Sequence, residues 1–327
     1  METNEFDKVF TWELSNRGFG SELNNLLYAI NYSNKNNLKI RLLSNRWNFK
    51  INKGWSDYFS TMNVFEEKKG ENIFFIYDIL RRIFGLSTLC YFSENRKGLF
   101  TLNNNVPQSR FYKVFSFSIM HLFFRVLKPK NIEFVIDYFY KVRNFNEKEL
   151  FDNEDGFIKE MNVILHDIWQ FNDETKTKVL EKKNNFYLTD YAVFHIRRGD
   201  KVTTGEDDFY DVSDYMERLR ELKKSIDTIF IMSDDYTVFE SIVKEFPKYN
   251  YYTLIDPKQR GHLQSEFNKQ SVQEIEDSAI NLFTEIEIAK NSNLFIGSKN
   301  SNVFRLIEYF KIKNCYDISK VRSKYYL

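Results

Sequence analysis

Apolar positions recur along this chain with two periods, and the change of period marks its elements. Val9-Phe-Thr-Trp-Glu-Leu14 has strand composition, and Asn16-Arg-Gly-Phe-Gly-Ser21 supplies turn chemistry. Leu23, Leu26, Leu27 and Ile30 then fall on one face of a helix, and Leu38-Lys-Ile-Arg-Leu-Leu43 reads as a second strand. The segment is a predicted βαβ unit with glycines in its first turn. Residues 60–150 are aromatic and mixed in pattern, and several helices are expected there. A long helix is predicted over 155–183, with a break near Asn184-Asn185.

From Tyr187 the alternation is regular. Strand-like runs lie at 191–196, 228–232, 251–255 and 294–296. Helical patterns lie between and after them at 212–226, 237–246, 272–290 and 302–311. Strict β and α alternation implies an α/β fold with a parallel sheet covered on both faces. In such sheets ligands bind beyond the carboxyl ends of the strands. The predicted organisation is an N-terminal α/β domain over 1–185 and a C-terminal Rossmann-like domain over 186–327.

Composition narrows the class. With 47 Lys and Arg against 46 Asp and Glu, the net charge of +1 excludes a chain-wide polyelectrolyte. At 43% hydrophobic with only 11 Gly and 4 Pro, the chain buries a sizeable core, which excludes disorder and collagen-like repeats. Two cysteines, Cys90 and Cys315, make neither a disulfide framework nor a thiolate zinc site and fit a reducing compartment. The polar, acidic start at Met1-Glu-Thr-Asn-Glu is the reverse of a secretory leader. The most apolar run, Phe115 to Leu127, is interrupted by His121 and Arg125 and falls short of the ~18–20 residues a membrane span needs. A cytoplasmic protein with no integral membrane segment is expected. The aromatic and basic stretch from Arg110 to Arg143 is read as packed helical core, and no nucleic-acid partner is expected.

The chemistry gathers at the predicted strand ends. The first C-terminal strand runs into His195-Ile-Arg-Arg-Gly-Asp-Lys201. Arg197 and Arg198 offer planar forks for a pyrophosphate, Lys201 a point charge, Gly199 a close backbone approach and Asp200 a partner to orient one guanidinium. The second strand ends in Ser233-Asp-Asp235, acids suited to sugar hydroxyls, a helix cap or a metal. With the two carboxylates adjacent and no third ligand nearby, no metal is expected. The last strand ends in Gly297-Ser-Lys-Asn-Ser-Asn302 before a helix, where N–H groups and short hydroxyls make an anion cradle or ordinary caps. A phosphate-bearing ligand in the C-terminal half follows.

His195-Ile-Arg-Arg-Gly-Asp-Lys-Val202, Glu206 and Asp214-Tyr-Met216 resemble the GDP-fucose-dependent α1,6-fucosyltransferases of the nodulation and core-fucosylation types. The likeness continues at Phe230-Ile-Met-Ser-Asp-Asp235 and Asn300-Ser-Asn-Val-Phe-Arg305, and at Gly18-Phe-Gly-Ser-Glu-Leu23 and Asn45-Arg-Trp-Asn-Phe49. It implies a GT-B-like architecture of two Rossmann-like domains, with the acceptor side N-terminal and the GDP-sugar site C-terminal. It also implies inverting, metal-independent transfer of fucose from GDP-fucose to a glycan hydroxyl, α1,6 to GlcNAc, with no cofactor.

Carried over by position, Arg197 and His195 contact the donor, Arg197 on its diphosphate. Arg198 supports the loop or offsets the leaving charge. Glu206 matches the general base beside Lys201, and one extra residue before it leaves Asp207 or Asp208 as alternatives. Asp234 and Asp235 match the paired acids. Glu285 stands where the family has Asp for guanine, and Ser301, Asn302 and Val303 match the diphosphate-binding turn. Gly18, Phe19, Gly20 and Phe49 match positions that border the donor.

Two other functions fit parts of the pattern. The α1,2-fucosyltransferases share His-x-Arg-Arg-Gly-Asp but follow it with Tyr, where Lys201 stands. They also carry a Ser-Trp-Trp-like stretch, where Val303-Phe304 stands. A non-catalytic GDP-sugar or glycan-binding module would need neither Glu206 nor Arg197.

Overall fold

The computed structural model describes residues 9–44, 47–60, 66–67, 90–92, 133–135, 138–199, 208–222, 225–261, 264–267 and 269–319. The chain forms two compact units, one of residues 1–16 and 25–160, the other of residues 17–24 and 161–327.

The first unit carries a mixed five-stranded sheet in the order β3-β2-β1-β4-β5. Strands β1 (Val9–Glu13), β2 (Lys39–Leu43) and β3 (Glu66–Glu67) are parallel, as the predicted βαβ unit requires. Strand β4 (Cys90–Phe92) adds antiparallel to β1, and β5 (Glu133–Val135) adds antiparallel to β4. Helix α1 (Phe19–Lys35) makes the crossover, burying Leu26, Leu27 and Ile30. Three short strands, β3, β4 and β5, thus lie within 60–150, where helices were expected, and helix α2 (Tyr138–Asp152) lies at its end. A buried amide pair ties α2 to α1: Asn31 donates to Asn146 Oδ1 at 2.8 Å, and Asn146 donates to the Tyr28 carbonyl at 3.0 Å. Buried amides left unpaired would each cost about 1–3 kcal/mol, so this pair fixes one register of the two helices. The run 115–127 and His121 lie outside the described residues, as does most of 110–143.

The predicted helix over 155–183 is two helices, α3 (Glu154–Ile168) and α4 (Asp173–Asn184). The break is local chemistry. Trp169 turns inward and donates from Nε1 to Glu287 at 2.8 Å, and Asn172 caps α4 by accepting the Thr175 N–H at 2.9 Å.

The second unit holds an all-parallel sheet in the order β10-β9-β6-β7-β8. Its strands are β6 (Tyr191–Ile196), β7 (Thr228–Ser233), β8 (Asn250–Thr253), β9 (Leu294–Gly297) and β10 (Cys315–Asp317). Strand β10 had no apolar run to announce it, because it is a three-residue edge whose side chains are only partly buried. Strand β8 stops at Thr253, two residues before its predicted end. The Thr253 hydroxyl donates to the Ile231 carbonyl and accepts the Ile255 N–H, so the side chain takes over from the ladder.

Helices α5 (Val212–Glu221) and α6 (Tyr236–Glu245) cover the face made by Phe194, Ile196, Ile229, Ile231 and Ile296. The short helix α7 (Gln264–Phe267) precedes α8 (Val272–Asn291), and α9 (Asn302–Lys311) follows β9. Phe283 of α8 and Phe304 of α9 are both fully buried, and the Phe304 ring lies 5.7 Å from that of Phe295 on β9.

Strand order decides where this unit can bind a ligand. Strands β6, β7 and β8 proceed in one direction across the sheet, whereas β9 and β10 are added on the other side of β6. The loops after β6 and β9 therefore leave their strands toward opposite faces and open a crevice at the carboxyl edge. The two candidate loops of the sequence, after His195 and after Gly297, flank this switch point, and His195 is paired with Gly297 across it.

Candidate functional site at the switch between β6 and β9

The loop after β6 is built around Asp234, which is buried at the end of β7. Its two carboxylate oxygens accept the backbone N–H groups of Arg198 at 2.8 Å and Gly199 at 3.0 Å. The Arg197 Nε lies 3.5 Å from the same group. A buried carboxylate needs such partners, since an unpaired one would be expelled or protonated. Asp234 thus acts first on protein backbone, and Arg197 is the cation beside it, with a side chain 22% exposed.

Arg198 is spent on structure. Its guanidinium donates to the Arg197 carbonyl at 3.0 Å and the Tyr210 carbonyl at 2.7 Å, and stands 4.1 Å over the Phe209 ring. Of the two roles open to it, loop support is the one these contacts perform. Asp235 caps α6, accepting the Thr237 N–H at 2.9 Å and its hydroxyl at 2.8 Å. Its backbone also pairs with Arg260, and Gly261, at φ 82°, lies against Gly199.

His195 is 5% exposed on the sheet face that carries Phe295, and its ring stacks on Phe295 at 6.3 Å. Burial, with the Arg197 charge adding to it, pushes its pKa down to about 3. The imidazole is therefore neutral near pH 7, with one N–H and one lone pair. Among the described residues its Nδ1 has no hydrogen-bond partner. Its backbone carbonyl accepts the Tyr215 hydroxyl at 2.9 Å, which anchors β6 to α5. Tyr215 belongs to the Asp214-Tyr-Met216 motif, and this bond gives that motif a structural use.

Glu285 lies on α8, half-buried. Burial, reinforced by the negative charge of Asp234, raises its pKa to about 8. It is thus a largely protonated carboxyl at neutral pH, able to donate one hydrogen bond and accept others. Strongly perturbed acids and bases at a strand-end crevice are a signature of binding sites.

The loop after β9 is folded by its own side chains. Ser298 accepts the Ser301 N–H through its carbonyl and the Asn300 N–H through its hydroxyl. Ser301 is the N-cap of α9, its hydroxyl accepting the Val303 N–H at 3.2 Å. Gly20 and Asn24, in the piece of α1 that belongs to this unit, pack on Asn302. A side chain at Gly20 would meet Asn302 Cβ at 3.3 Å, and Asn24 donates to the Asn302 carbonyl at 2.9 Å. Gly18 supplies the carbonyl that receives the first N–H groups of α1.

The structure therefore brings together His195, Arg197, Asp234 and Glu285, with Ser301, Asn302 and Val303 on the neighbouring loop. Phe19 is 4% exposed in an aromatic core with Trp169 and Phe283, and Phe49 is buried against Trp47 in the first unit. Asp200, Lys201 and Glu206 lie outside the described residues, as do Asp207 and His262. Asp208 is exposed and accepts the Tyr210 hydroxyl at 3.2 Å. His166 sits on α3 against the Phe310 ring at 5.6 Å. Among the described residues no three His, Cys, Asp or Glu side chains stand close enough to share a metal ion. No helix among them is long and apolar enough to cross a membrane.

Residues 155–305 match the family described as α-(1,6)-fucosyltransferase N- and catalytic domains, a span that holds β6, β7, α8, β9 and the loop into α9. That segment, just under half of the chain, is similar to the α-(1,6)-fucosyltransferases. Solved structures share its fold. NodZ α-1,6-fucosyltransferase soaked with GDP-fucose superposes with a TM-score of 0.50 at 10% identity, over 93% of this chain and 92% of that one. POFUT1 in complex with GDP-fucose gives 0.50 at 8% identity, over 97% and 99%. No curated protein matches in sequence. A fucosyltransferase fold kept at about one identical residue in ten shows how few positions the architecture itself prescribes.

Proposed function

We propose that this chain is a fucosyltransferase that moves L-fucose from GDP-fucose to a glycan hydroxyl with inversion and without a metal, through an α1,6 link to GlcNAc. The architecture that goes with this reading is GT-B-like, with two Rossmann-like domains over 1–185 and 186–327 and the donor held by the second. The observation that carries the reading is the crevice between the loops after β6 and β9. There a cation, Arg197, stands beside a neutral imidazole, His195, and a hydrogen-bonding carboxyl, Glu285, within the stretch that matches the family.

In this mechanism Arg197 forks onto the diphosphate, and Ser301, Asn302 and Val303 add the loop after β9 to the same group. The bond between the fucose C1 and the phosphate oxygen breaks as negative charge grows on GDP, and a preorganised guanidinium lowers that barrier. On the opposite face of the sugar, Glu206 takes the proton of the acceptor hydroxyl as its oxygen bonds to C1, a step worth roughly 10²–10⁴-fold. His195 and Glu285 take the guanine, and the family likeness gives Asp200, Lys201 and Asp235 supporting roles toward the donor. Asp234 and Arg198 hold the loop that aims Arg197.

Calorimetric binding of GDP, GDP-fucose, GDP-mannose and UDP-glucose in EDTA tests the donor assignment. Tight GDP binding with UDP-glucose ignored is expected, and absence of GDP binding would overturn it. Glu206→Gln should then retain GDP and lose transfer to chito-oligosaccharides. Unchanged turnover would move the base to Asp207 or Asp208, and an EDTA-sensitive enzyme would refute metal independence.

A further inference from the structure

Arg305 is the last residue of the Asn300-Ser-Asn-Val-Phe-Arg305 motif and has no part in the mechanism above. It sits on α9 and is half-buried. Nearby cations of this unit are engaged: Arg197 and Arg218 with carboxylates, Arg198 and Arg260 with loop carbonyls, Lys311 with the Ser292 carbonyl. Among the described residues the Arg305 guanidinium has no hydrogen bond, ion pair or ring contact. Even Glu308, one turn further along the same helix face, is not its salt-bridge partner. A half-buried arginine with no acceptor among the described residues leaves all five of its donors open to an anionic ligand.

Its position says which anion. Phe304, the preceding residue, pins α9 over the end of β9, so close to Gly297 that a Cβ there would meet its ring at 3.1 Å. That contact fixes the rotation of α9 and turns Arg305 away from the sheet, onto the helix side that also carries Ser301 and Asn302. Side chains on a helix lean toward its N-terminus, and one turn rises only about 5.4 Å, less than an extended arginine. An extended Arg305 side chain is therefore long enough to span back to the Ser301–Asn302 turn. Arg197 approaches the same crevice from the neighbouring strand, because β6 and β9 are paired through His195 and Gly297.

We infer that Arg305 is a second diphosphate-binding cation, closing on the donor from α9 opposite Arg197. The inference rests on the donor reading above. Two guanidinium groups facing each other across a diphosphate would offset the two charges of the GDP-sugar diphosphate without a metal, and each would strengthen as the leaving GDP gains charge.

The test is calorimetry with GDP, GMP and guanosine on the wild-type chain, Arg305→Ala, Arg305→Lys and Arg305→Gln, with thermal melting to verify folding. Loss of one charged contact should weaken GDP roughly tenfold to a hundredfold in Arg305→Ala and Arg305→Gln. Guanosine affinity should not change, and Arg305→Lys should recover part of the GDP loss. Wild-type chain that binds no GDP would remove the donor reading itself. Wild-type binding with GDP affinity unaltered in Arg305→Ala and Arg305→Gln would overturn the role of Arg305 alone. An equal loss for guanosine and GDP would also overturn it, since that pattern reports a shifted helix and not a lost cation.

Discussion

The Asp234 carboxylate accepts the Arg198 backbone N–H at 2.8 Å, across 36 residues of sequence, and this bond sets the loop that presents Arg197. Replacing Asp234 with Asn keeps the size and loses the charge, so one of the two backbone N–H groups faces a donor. The expected cost is about 1–3 kcal/mol of stability and at least tenfold in GDP affinity. Urea unfolding and calorimetry on the same preparation check both, and a variant that matches wild type in each would remove Asp234 from loop positioning.

Arg197 and Arg198 should separate by readout. Arg197→Ala should lower turnover about 10²–10³-fold with little change in melting temperature, and Arg197→Lys should not restore it, because an ammonium lacks the fork. Arg198→Ala should lower the melting temperature as well, since its guanidinium bonds two loop carbonyls. Thermal scans beside transfer rates decide, and near-normal activity in Arg197→Lys would sink the assigned role.

The pH dependence of stability follows from buried His195 and half-buried Glu285, whose pKa values shift in opposite directions. The His195 pKa is down from 6.5 to about 3, so its contribution is complete above pH 6.5 and is lost as pH falls toward 3. The Glu285 pKa is up from 4.5 to about 8, so the folded state holds a proton that the unfolded state has released, and stability falls as pH rises from 4.5 to 8. Between 4.5 and 6.5 the two slopes cancel, and above 6.5 that of Glu285 alone remains, up to about 1.4 kcal/mol per pH unit. Urea unfolding across this range should show a plateau and then a decline, and Glu285→Gln should remove the decline. A Gln variant that declines like wild type would refute the assignment.

Gly297 leaves room for two neighbours at once. A Cβ there would stand 3.1 Å from the Phe304 ring and 3.3 Å from His195 Cβ. Gly297→Ala should cost about 1–3 kcal/mol by overpacking and weaken GDP through displacement of His195. Phe304→Leu in the same chain should return part of both losses. Additive losses in a double-mutant cycle would disprove the contact.

The sequence alone determined the class of the second unit, because its three central strands, β6, β7 and β9, are buried on both faces and must be written as continuous apolar runs between amphipathic helices. The loops that bear Arg197 and Ser301 were legible for the same reason, since polar residues that abut such a strand can only stand at its rim. Tertiary structure decided the division of labour. Asp234 and Arg198 look like ligand-binding residues in the motif, but long-range bonds to backbone groups make them the scaffold of Arg197, and no local pattern encodes a partner 36 residues away. Gly20 reads as turn chemistry, yet it faces Asn302 where helix approaches loop. The protonation of Glu285 likewise depends on burial and on Asp234, both absent until the chain has folded. Local pattern specifies elements through the periodicity of burial, whereas site chemistry comes from which distant groups share a desolvated volume.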